Sequence, residues 1–387
     1  MNQFDDIRPY NDDEVSGAIQ RLLGDKEFIQ TITHFRFSKW PAFLRPLFTP
    51  LVKSYLSAQA KNIKTVDDLQ LIAKSYLSKM FNDTTSSLTI SGTENLQSNK
   101  ACLFVSNHRD IVVDPAIVNW TVHHSGHKTP NLAIGDNLLT KPFIADLMRL
   151  NKSFIVNRSA TAPREKLKAA KHLAAYIHHA ICEENNNIWI AQREGRAKDG
   201  LDKTNSAVIK MLTLSKPKTV ALSDYIRELN IVPVSISYEL DPCDEHKAQE
   251  LYQIQNEGAY EKAEHEDAQS IARGITGNKG RAHIAYGEPL TQNFDDVDAL
   301  VQAIDKAIIK NYVLQPSNCI AYEELHGKLP KEVLVTDLQT PYQEKSFVPE
   351  KQCFHKRLRA CDAAYRELFL KQYANPVISQ QAVLNVE

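Results

Sequence analysis

The chain has 387 residues, 43% of them hydrophobic and 24% charged, proportions that suit a globular protein with a substantial core. Its formal net charge of −1 gives no overall electrostatic attraction to nucleic acid, so no nucleic-acid partner is predicted. The six cysteines form no CxxC pair, which argues against a disulfide framework or a cysteine-based zinc site.

Residues 1–84 are predicted to form a helical N-terminal region. The region opens on MNQFDDIRPYNDDEV, which lacks the apolar core of a secretory signal, and no run of 18 apolar residues follows in the chain. We therefore expect a cytoplasmic protein whose contact with the inner face of a membrane is at most peripheral. Asp12 and Asp13 precede EVSGAIQRLL as at a capped helix start, and residues 66–81 have apolar side chains at helical spacing.

Residues 35–56, FRFSKWPAFLRPLFTPLVKSYL, combine aromatic side chains with Arg36, Lys39 and Arg45. Three prolines are expected to break this segment into short pieces. Packing of the segment against the rest of the protein is the more common outcome of such a composition. The alternative is an interfacial patch, in which aromatic rings lie among lipid headgroups and basic side chains contact lipid phosphate. The second interpretation makes the segment a candidate for peripheral membrane contact.

From residue 85 onward, short β-rich runs alternate with helical segments such as 163–185. The predicted strands are SLTIS (87–91), CLFVS (102–106), LAIG (132–135), SFIVN (153–157), NIWIA (187–191), IVPVSISYE (231–239) and RAHIAYG (281–287). The alternation predicts an α/β domain over residues 85–315, with a mostly parallel mixed sheet flanked by helices. Residues 316–387 are predicted to be a C-terminal extension, irregular over 321–351 and with a terminal helix over 353–374.

The most informative segment is FVSNHRDIVVDPAIVN (104–119). His108 follows an apolar strand, and Asp114-Pro115 before an apolar run predicts a helix with Asp114 as its N-cap. His108 is therefore expected in a loop at the C-terminal end of a strand, where open α/β sheets bind ligands. A histidine oriented by an aspartate can remove the proton from a substrate hydroxyl. Alone, the pair is weak evidence, because a structural histidine bonded to a helix cap is at least as common.

Three further segments accompany this one in order along the chain. They are NKSFIVNRS (151–159), IWIAQREGRAKDG (188–200) and IVPVSI (231–236), and GDNLLTKPF (135–143) also fits before them. Together with SNHRDIVVDPAIV, they resemble the glycerolipid acyltransferase family, which includes glycerol-3-phosphate and lysophosphatidic acid acyltransferases, over roughly residues 85–290. The helical region ahead of the α/β domain is similar to that of the soluble plastid glycerol-3-phosphate acyltransferases.

The resemblance implies an O-acyltransferase of phospholipid biosynthesis. His108 would remove the proton from a hydroxyl of glycerol 3-phosphate or its 1-acyl derivative, and the oxygen would attack the thioester of acyl-CoA or acyl-carrier protein. No cofactor is implied. No metal site is predicted either, because the histidines of VHHSGH (122–127) lack cysteine or carboxylate partners at recognised spacing. The resemblance also implies a substrate-binding set made of Arg158, Lys152, Arg193, Glu194, Gly195 and Arg196.

The chemistry of that set suits a phosphate group. Arg158 follows a predicted strand, and a guanidinium can bind phosphate through two hydrogen bonds. Gly195 lets the backbone approach a ligand, and Glu194 can orient Arg196 or the glycerol hydroxyls. An isolated REGR would more often be a solvated loop, but its place after a strand and in order with the other segments favours phosphate binding. Lys152 stands where the family often has glycine.

One position departs from the family pattern. The family's aspartate comes five positions after the histidine, where this chain has Val113, and Asp114 comes one residue later. Asp114 can pair with His108 if the extra residue forms a bulge, and this interpretation is favoured over Asp110 as the orienting carboxylate. A substituted, inactive site is the third possibility. It motivates a second hypothesis, a non-catalytic lipid- or phosphate-binding protein on the same scaffold, and a thioesterase that uses water as acceptor is a weaker one.

Overall fold

The computed structural model describes residues 3–37, 39–263, 265–330 and 333–384. Clustering of the internal contacts divides the chain into two units. Unit 1 contains Met1–Tyr76 and Asn131–Ile177, and unit 2 contains Leu77–Pro130 and His178–Glu387. The domain boundaries near residues 84 and 315 stay a prediction.

All seven predicted strands are present, each within two residues of its predicted ends. They are β1 (Thr85–Ser91), β2 (Leu103–Ser106), β3 (Asn131–Gly135), β4 (Ser153–Val156), β5 (Ile188–Ala191), β6 (Ile231–Tyr238) and β7 (Gly280–Tyr286). Every residue of β2 and β6 is buried, as in strands that are covered on both faces. Two short strands, β8 (Leu334–Val335) and β9 (Thr340–Pro341), pair with each other further along the chain.

The pairing of the strands confirms the predicted mixed, mostly parallel sheet. In unit 2 the strand order is β1-β7-β6-β2-β5. Only β6 and β7 run antiparallel there, while β1–β7, β2–β6 and β2–β5 are parallel pairs. In unit 1, β3 and β4 also pair in parallel. Because β2 lies between β5 and β6, the loops that follow these three strands leave the same edge of the sheet.

The N-terminal region is helical, as predicted. Its helices are α1 (Asp12–Gly24), α2 (Lys26–Arg36), α3 (Thr49–Ala60) and α4 (Val66–Thr84), with a short 3₁₀ segment over Ala42–Phe48. In unit 1, apolar residues of α1, α2 and α3 pack into one cluster, which also takes in Phe143 and Leu150. Asp25 caps α2 by accepting a hydrogen bond from the N–H of Phe28 at 2.9 Å.

Eleven further helices follow among the described residues. They are α5 (Val113–His124), α6 (Pro142–Leu150), α7 (Pro163–Cys182), α8 (Ser206–Leu212), α9 (Leu222–Leu229), α10 (Asp244–Glu257), α11 (Glu266–Thr276), α12 (Val297–Lys310), α13 (Pro316–His326), α14 (Val348–Ala360) and α15 (Arg366–Leu384). In the part of the chain that the structure describes, no helix is long and apolar enough to cross a membrane.

The C-terminal prediction is partly wrong. Helix α13 extends into the segment predicted to be irregular, because Gln315 and Asn318 form a capping box that starts it. The predicted terminal helix is two helices, α14 and α15, since the backbone turns to an extended conformation at Cys361. Apolar side chains of α13, α14 and α15 share one buried cluster, which contains Phe354 and Phe369. Packing in this cluster, rather than local helix propensity, stabilises the three helices where one was predicted.

Candidate active site

His108 lies in the loop between β2 and α5 and is paired with Asp114. Its Nδ1 atom is 2.8 Å from Oδ2 of Asp114, whose side chain is fully buried, while the histidine side chain is 14% exposed. Since the carboxylate can only accept, the hydrogen-bond network assigns the proton to Nδ1 and the lone pair to Nε2. An imidazole in this tautomer is able to take a proton from a hydroxyl at Nε2.

The Asp114 carboxylate accepts three hydrogen bonds besides the one from the ring. Oδ2 accepts from the backbone N–H of Arg109 at 2.5 Å and from that of Asp110 at 2.8 Å, and Oδ1 accepts from the hydroxyl of Tyr238 at 3.0 Å. Burial, and then the charge of Asp114, raises the pKa of Tyr238 well above its ordinary value, so the hydroxyl stays protonated. A single oxygen therefore orients the imidazole and fixes the loop that carries it.

The prediction that Asp114 is the N-cap of the following helix is wrong. Helix α5 already begins at Val113, and Asp110 supplies Oδ1 to the backbone N–H groups of Val112 and Val113, both at 2.9 Å. Because Asp110 satisfies these donors, the carboxylate of Asp114 is left to bind back to the loop. Burial, followed by the charge of Asp114, raises the pKa of Asp110. The two aspartates thus have different contacts, and the ring of His108 is bonded by Asp114.

Arg109 follows His108, but its side chain is buried and hydrogen-bonded within the protein interior. Its Nη2 donates to Oδ2 of Asp202 at 2.6 Å and to the carbonyl of Gly200 at 3.3 Å, and its guanidinium lies 5.5 Å from the ring centre of Tyr312. The residue is buried, so these contacts hold the loop. We assign Arg109 a structural role on this ground.

Two other side chains fix the same loop within unit 2. The amide of Asn107 donates to the carbonyl of Ile236 at 2.9 Å and accepts from its N–H at 2.8 Å, which extends the contact between β2 and β6 beyond the strand end. Lys247 donates to the carbonyl of Arg109 at 2.6 Å and forms an ion pair with Asp241. Burial raises the pKa of Asp241, but the charge and hydrogen bond of Lys247 outweigh it, so the pKa is lowered.

The loop after β5 lies against the loop that carries His108. The N–H of Ala197 donates to the carbonyl of His108 at 2.7 Å. Of the predicted binding residues, Arg196 is buried and its Nη2 lies 3.5 Å from Oγ of Ser270, whereas Arg193 is half-buried and Glu194 exposed. Gly195 has a φ of 72°, a backbone conformation that glycine adopts without strain. The contact of Ala197 therefore places the loop that carries residues 193–196 against the loop that carries His108, and the substrate-binding roles of residues 193–196 stay predictions.

Arg158 and Lys152 belong to unit 1 and lie at opposite ends of β4. Arg158 is exposed. Its backbone N–H donates at 2.9 Å to Oδ1 of Asp136, which belongs to the GDNLLTKPF segment. Lys152 precedes the strand, is buried and has a φ of 59°, which explains why glycine suits this position. The structure does not bring Lys152 and Arg158 together. The substrate-binding roles of both residues stay predictions.

Sequence analysis missed two side chains that contact the candidate pair. Tyr238 bonds Asp114, and the ring of Trp189 meets that of His108 edge-on, with the centres 6.1 Å apart. Trp189 lies inside the IWIAQREGR segment, so its position was available to sequence reasoning, although its contact with His108 was not. Tyr238 follows the IVPVSI segment, and nothing local marks it. In the part of the chain that the structure describes, no group of three His, Cys, Asp or Glu side chains could hold a metal.

Comparison with known proteins finds one family match, over part of the chain. Residues 87–237 match the family model described as Acyltransferase. No curated protein matches the chain. Among solved structures, the chain is similar to the 1-acyl-sn-glycerophosphate (LPA) acyltransferase PlsC from Thermotoga maritima, with 16% identity, a TM-score of 0.35 and coverage of 72% of this chain and 91% of that one. The family match covers His108, Asp114 and residues 193–196, and it confirms the resemblance drawn from the sequence segments. Residues 87–237 of the chain are therefore similar to the Acyltransferase family.

Proposed function

We propose that this protein transfers a fatty acyl group from acyl-CoA or acyl-carrier protein to a hydroxyl of glycerol 3-phosphate or its 1-acyl derivative, in phospholipid biosynthesis. Nε2 of His108 takes the hydroxyl proton as the oxygen attacks the thioester carbonyl carbon. The resulting tetrahedral intermediate expels the thiol, which leaves with the proton returned by His108. Asp114 stabilises the imidazolium that exists between these two proton transfers.

The observation that carries the proposal is the 2.8 Å contact between His108 and Asp114 inside the matched acyltransferase domain. The extra residue between them motivated the alternative of a non-catalytic binding protein. The contact between Asp114 and the ring supports the catalytic interpretation over that alternative. The amides of Arg109 and Asp110 are bonded to Asp114, so the oxyanion of the intermediate must be stabilised by other donors.

The direct test replaces the base and measures acyl transfer with both donors and both acceptors. We expect His108→Gln to lower kcat by about 10²- to 10⁴-fold, the usual contribution of a general base, with little change in Tm. His127→Gln, outside the described contacts of the site, is the matched control. Full turnover in His108→Gln would refute the mechanism. Binding without turnover in the unmodified protein would support a non-catalytic protein, and acceptor-independent release of fatty acid would support a thioesterase.

We also infer that residues 35–56 contact an anionic membrane surface. Phe43 is 78% exposed and Leu47 70% exposed, and Phe35, Trp40 and Leu51 are exposed as well. From residue 28 to residue 66 the chain has six Lys and Arg side chains and no Asp or Glu. Exposed apolar side chains and cations, in a segment whose own sequence has no acidic residue, fit anionic lipid headgroups, to which each cation near the surface contributes about 1 kcal/mol.

Vesicle flotation tests this contact. We expect the protein to float with vesicles of phosphatidylcholine mixed with phosphatidylserine, less so with phosphatidylcholine alone, and less at high salt. Phe43→Glu combined with Leu47→Glu should abolish flotation. Leu338→Glu changes a similarly exposed leucine elsewhere and should leave it intact. Equal flotation of the two variants would contradict the assignment of this segment.

A further inference from the structure

Four arginine side chains of unit 2, those of Arg109, Arg196, Arg273 and Arg366, bury a nitrogen that has no hydrogen-bond partner among the described residues, and two of these nitrogens belong to the loop after β5 and to α11. These two atoms are Nη1 of Arg196, in the loop after β5, and Nη1 of Arg273, in α11. Arg196 as a whole is only 9% exposed. A buried, unpaired N–H of a charged group is costly, and an acceptor that reaches it removes that cost. Each of these atoms is therefore available to an anion.

Helix α11 brings the two guanidinium groups to one region. Nη2 of Arg196 lies 3.5 Å from Oγ of Ser270, and Ser270 and Arg273 are three residues apart, on the same face of the helix. Both charges also act on His246 of α10, whose pKa is lowered by burial and then by Arg273, with a smaller contribution from Arg196. The contact of Arg196 with Ser270, one helical turn before Arg273, places both guanidinium groups along the same part of α11.

The same region adjoins the loop that carries the catalytic base. A Cβ atom at Gly274 would collide with the carboxylate of Asp110, so α11 lies directly against that residue, two positions after His108. On the other side, Ala197, the neighbour of Arg196, donates to the carbonyl of His108 at 2.7 Å. A ligand held by both arginines would therefore lie beside the His108 loop.

Four carboxylates lie in this neighbourhood, those of Asp110, Asp241, Glu245 and Glu266, and none of them is hydrogen-bonded to these two atoms. Asp241, whose pKa Arg196 helps to lower, is ion-paired with Lys247. Asp110 accepts hydrogen bonds from the backbone at the start of α5. Neither carboxylate bonds Nη1 of Arg196 or Nη1 of Arg273. The cationic charge at this position is available for a ligand.

We propose that Arg196 and Arg273 together bind a phosphate group of a substrate. Paired guanidinium groups suit phosphate, which accepts several charge-assisted hydrogen bonds at once. Arg273 lies outside the matched residues 87–237, and no sequence segment discussed above contains it as a binding residue. The proposal rests on the proposed function, since both the acceptor and the acyl carrier contain phosphate.

The test compares ligands that differ in phosphate, using calorimetric titration of the full chain. Glycerol 3-phosphate is compared with glycerol for the acceptor, and CoA with pantetheine for the carrier. We expect Arg273→Gln to weaken binding of one phosphorylated ligand by about 10- to 100-fold, as for loss of a charge-assisted hydrogen bond, and to leave its phosphate-free partner unchanged. Whichever ligand loses affinity identifies the source of the phosphate.

Arg273→Lys should recover part of the affinity, and Arg359→Gln, an exposed arginine of α14, is the matched control. The Tm of ligand-free Arg273→Gln should equal or exceed that of the parent, because a buried unpaired donor next to a like charge is removed. Unchanged affinity for all phosphorylated ligands in a folded Arg273→Gln would overturn the proposal.

These titrations need no turnover, so the two proposals fail separately. If Arg273→Gln has normal turnover and unchanged phosphate affinity, the proposed phosphate site is refuted and the proposed acyltransferase function is not. If phosphate binding depends on Arg273 but the protein transfers no acyl group, the proposed phosphate site stands and the proposed function is refuted.

Discussion

Replacing Asp114 by Asn tests how much the buried carboxylate contributes to catalysis. The amide oxygen can occupy the position of Oδ2 and still accept from the ring and the two backbone N–H groups, while its NH₂ group donates to the hydroxyl of Tyr238. The fold should therefore survive. Three hydrogen bonds to a charged acceptor become bonds to a neutral one, and we expect a loss of about 1–3 kcal/mol in the free energy of unfolding.

The effect on rate comes from the lost charge. An imidazolium and a carboxylate 2.8 Å apart attract by about 6 kcal/mol at an effective dielectric constant of about 20. In Asp114→Asn, solvation of the imidazolium replaces part of this lost attraction. We therefore expect kcat to fall by about 10²- to 10⁴-fold.

Asp110→Asn is the matched control, because Asp110 bonds only backbone N–H groups and not the ring. We expect its kcat to stay within about tenfold of the parent value, which corresponds to less than about 1.4 kcal/mol of activation free energy. The assay is steady-state acyl transfer over a range of pH, with urea unfolding of each variant alongside. If Asp110→Asn loses as much activity as Asp114→Asn, or if Asp114→Asn keeps its activity, the assigned pairing is refuted.

Two further predictions concern stability. Burial lowers the pKa of Lys279 from 10.5 to about 8, so the unfolded chain binds more protons than the folded one between these values, and unfolding free energy should rise there by up to about 3 kcal/mol. Urea unfolding across that range should show the rise in the parent and not in Lys279→Met; parallel curves would contradict the burial of a titrating lysine. Asn107→Ala leaves the N–H and carbonyl of Ile236 without their partner and should cost about 2–5 kcal/mol. Asn256→Ala, an exposed residue bonded within its own helix, should cost far less in the same assay, and equal losses would remove the special role of Asn107.

The sheet could be predicted from sequence because its strands have a strong local pattern. Runs such as CLFV and IWIA are short, apolar and bounded by polar residues, and both form buried strands. The C-terminal helices were harder, since α13 and α15 are stabilised by contacts with each other and with α14. Such contacts join residues far apart in sequence and leave no local signal.

The site was predictable to the extent that its chemistry lies in short segments. His108, Asp114 and Arg196 all come from segments with recognisable order, and the structure brings these segments together. The start of α5 was predicted two residues late, because Asp110 had been weighed as a partner for His108 and not as an acceptor for the helix N-terminus. Tyr238 and Arg273 are remote in sequence from the loop they support or adjoin, and only the fold reveals them.

The oxygen that Asp114 shares between the ring and the loop backbone has a consequence for recognising related chains. Asp114 reaches the ring across five intervening residues, and within that loop Asp110 accepts the N–H groups of Val112 and Val113. What must be preserved is one acceptor that reaches the imidazole and two successive amides at once. A pattern that fixes four residues between histidine and aspartate would pass over such a chain, whereas a pattern that allows four or five, with a second carboxylate two positions after the histidine, would find it.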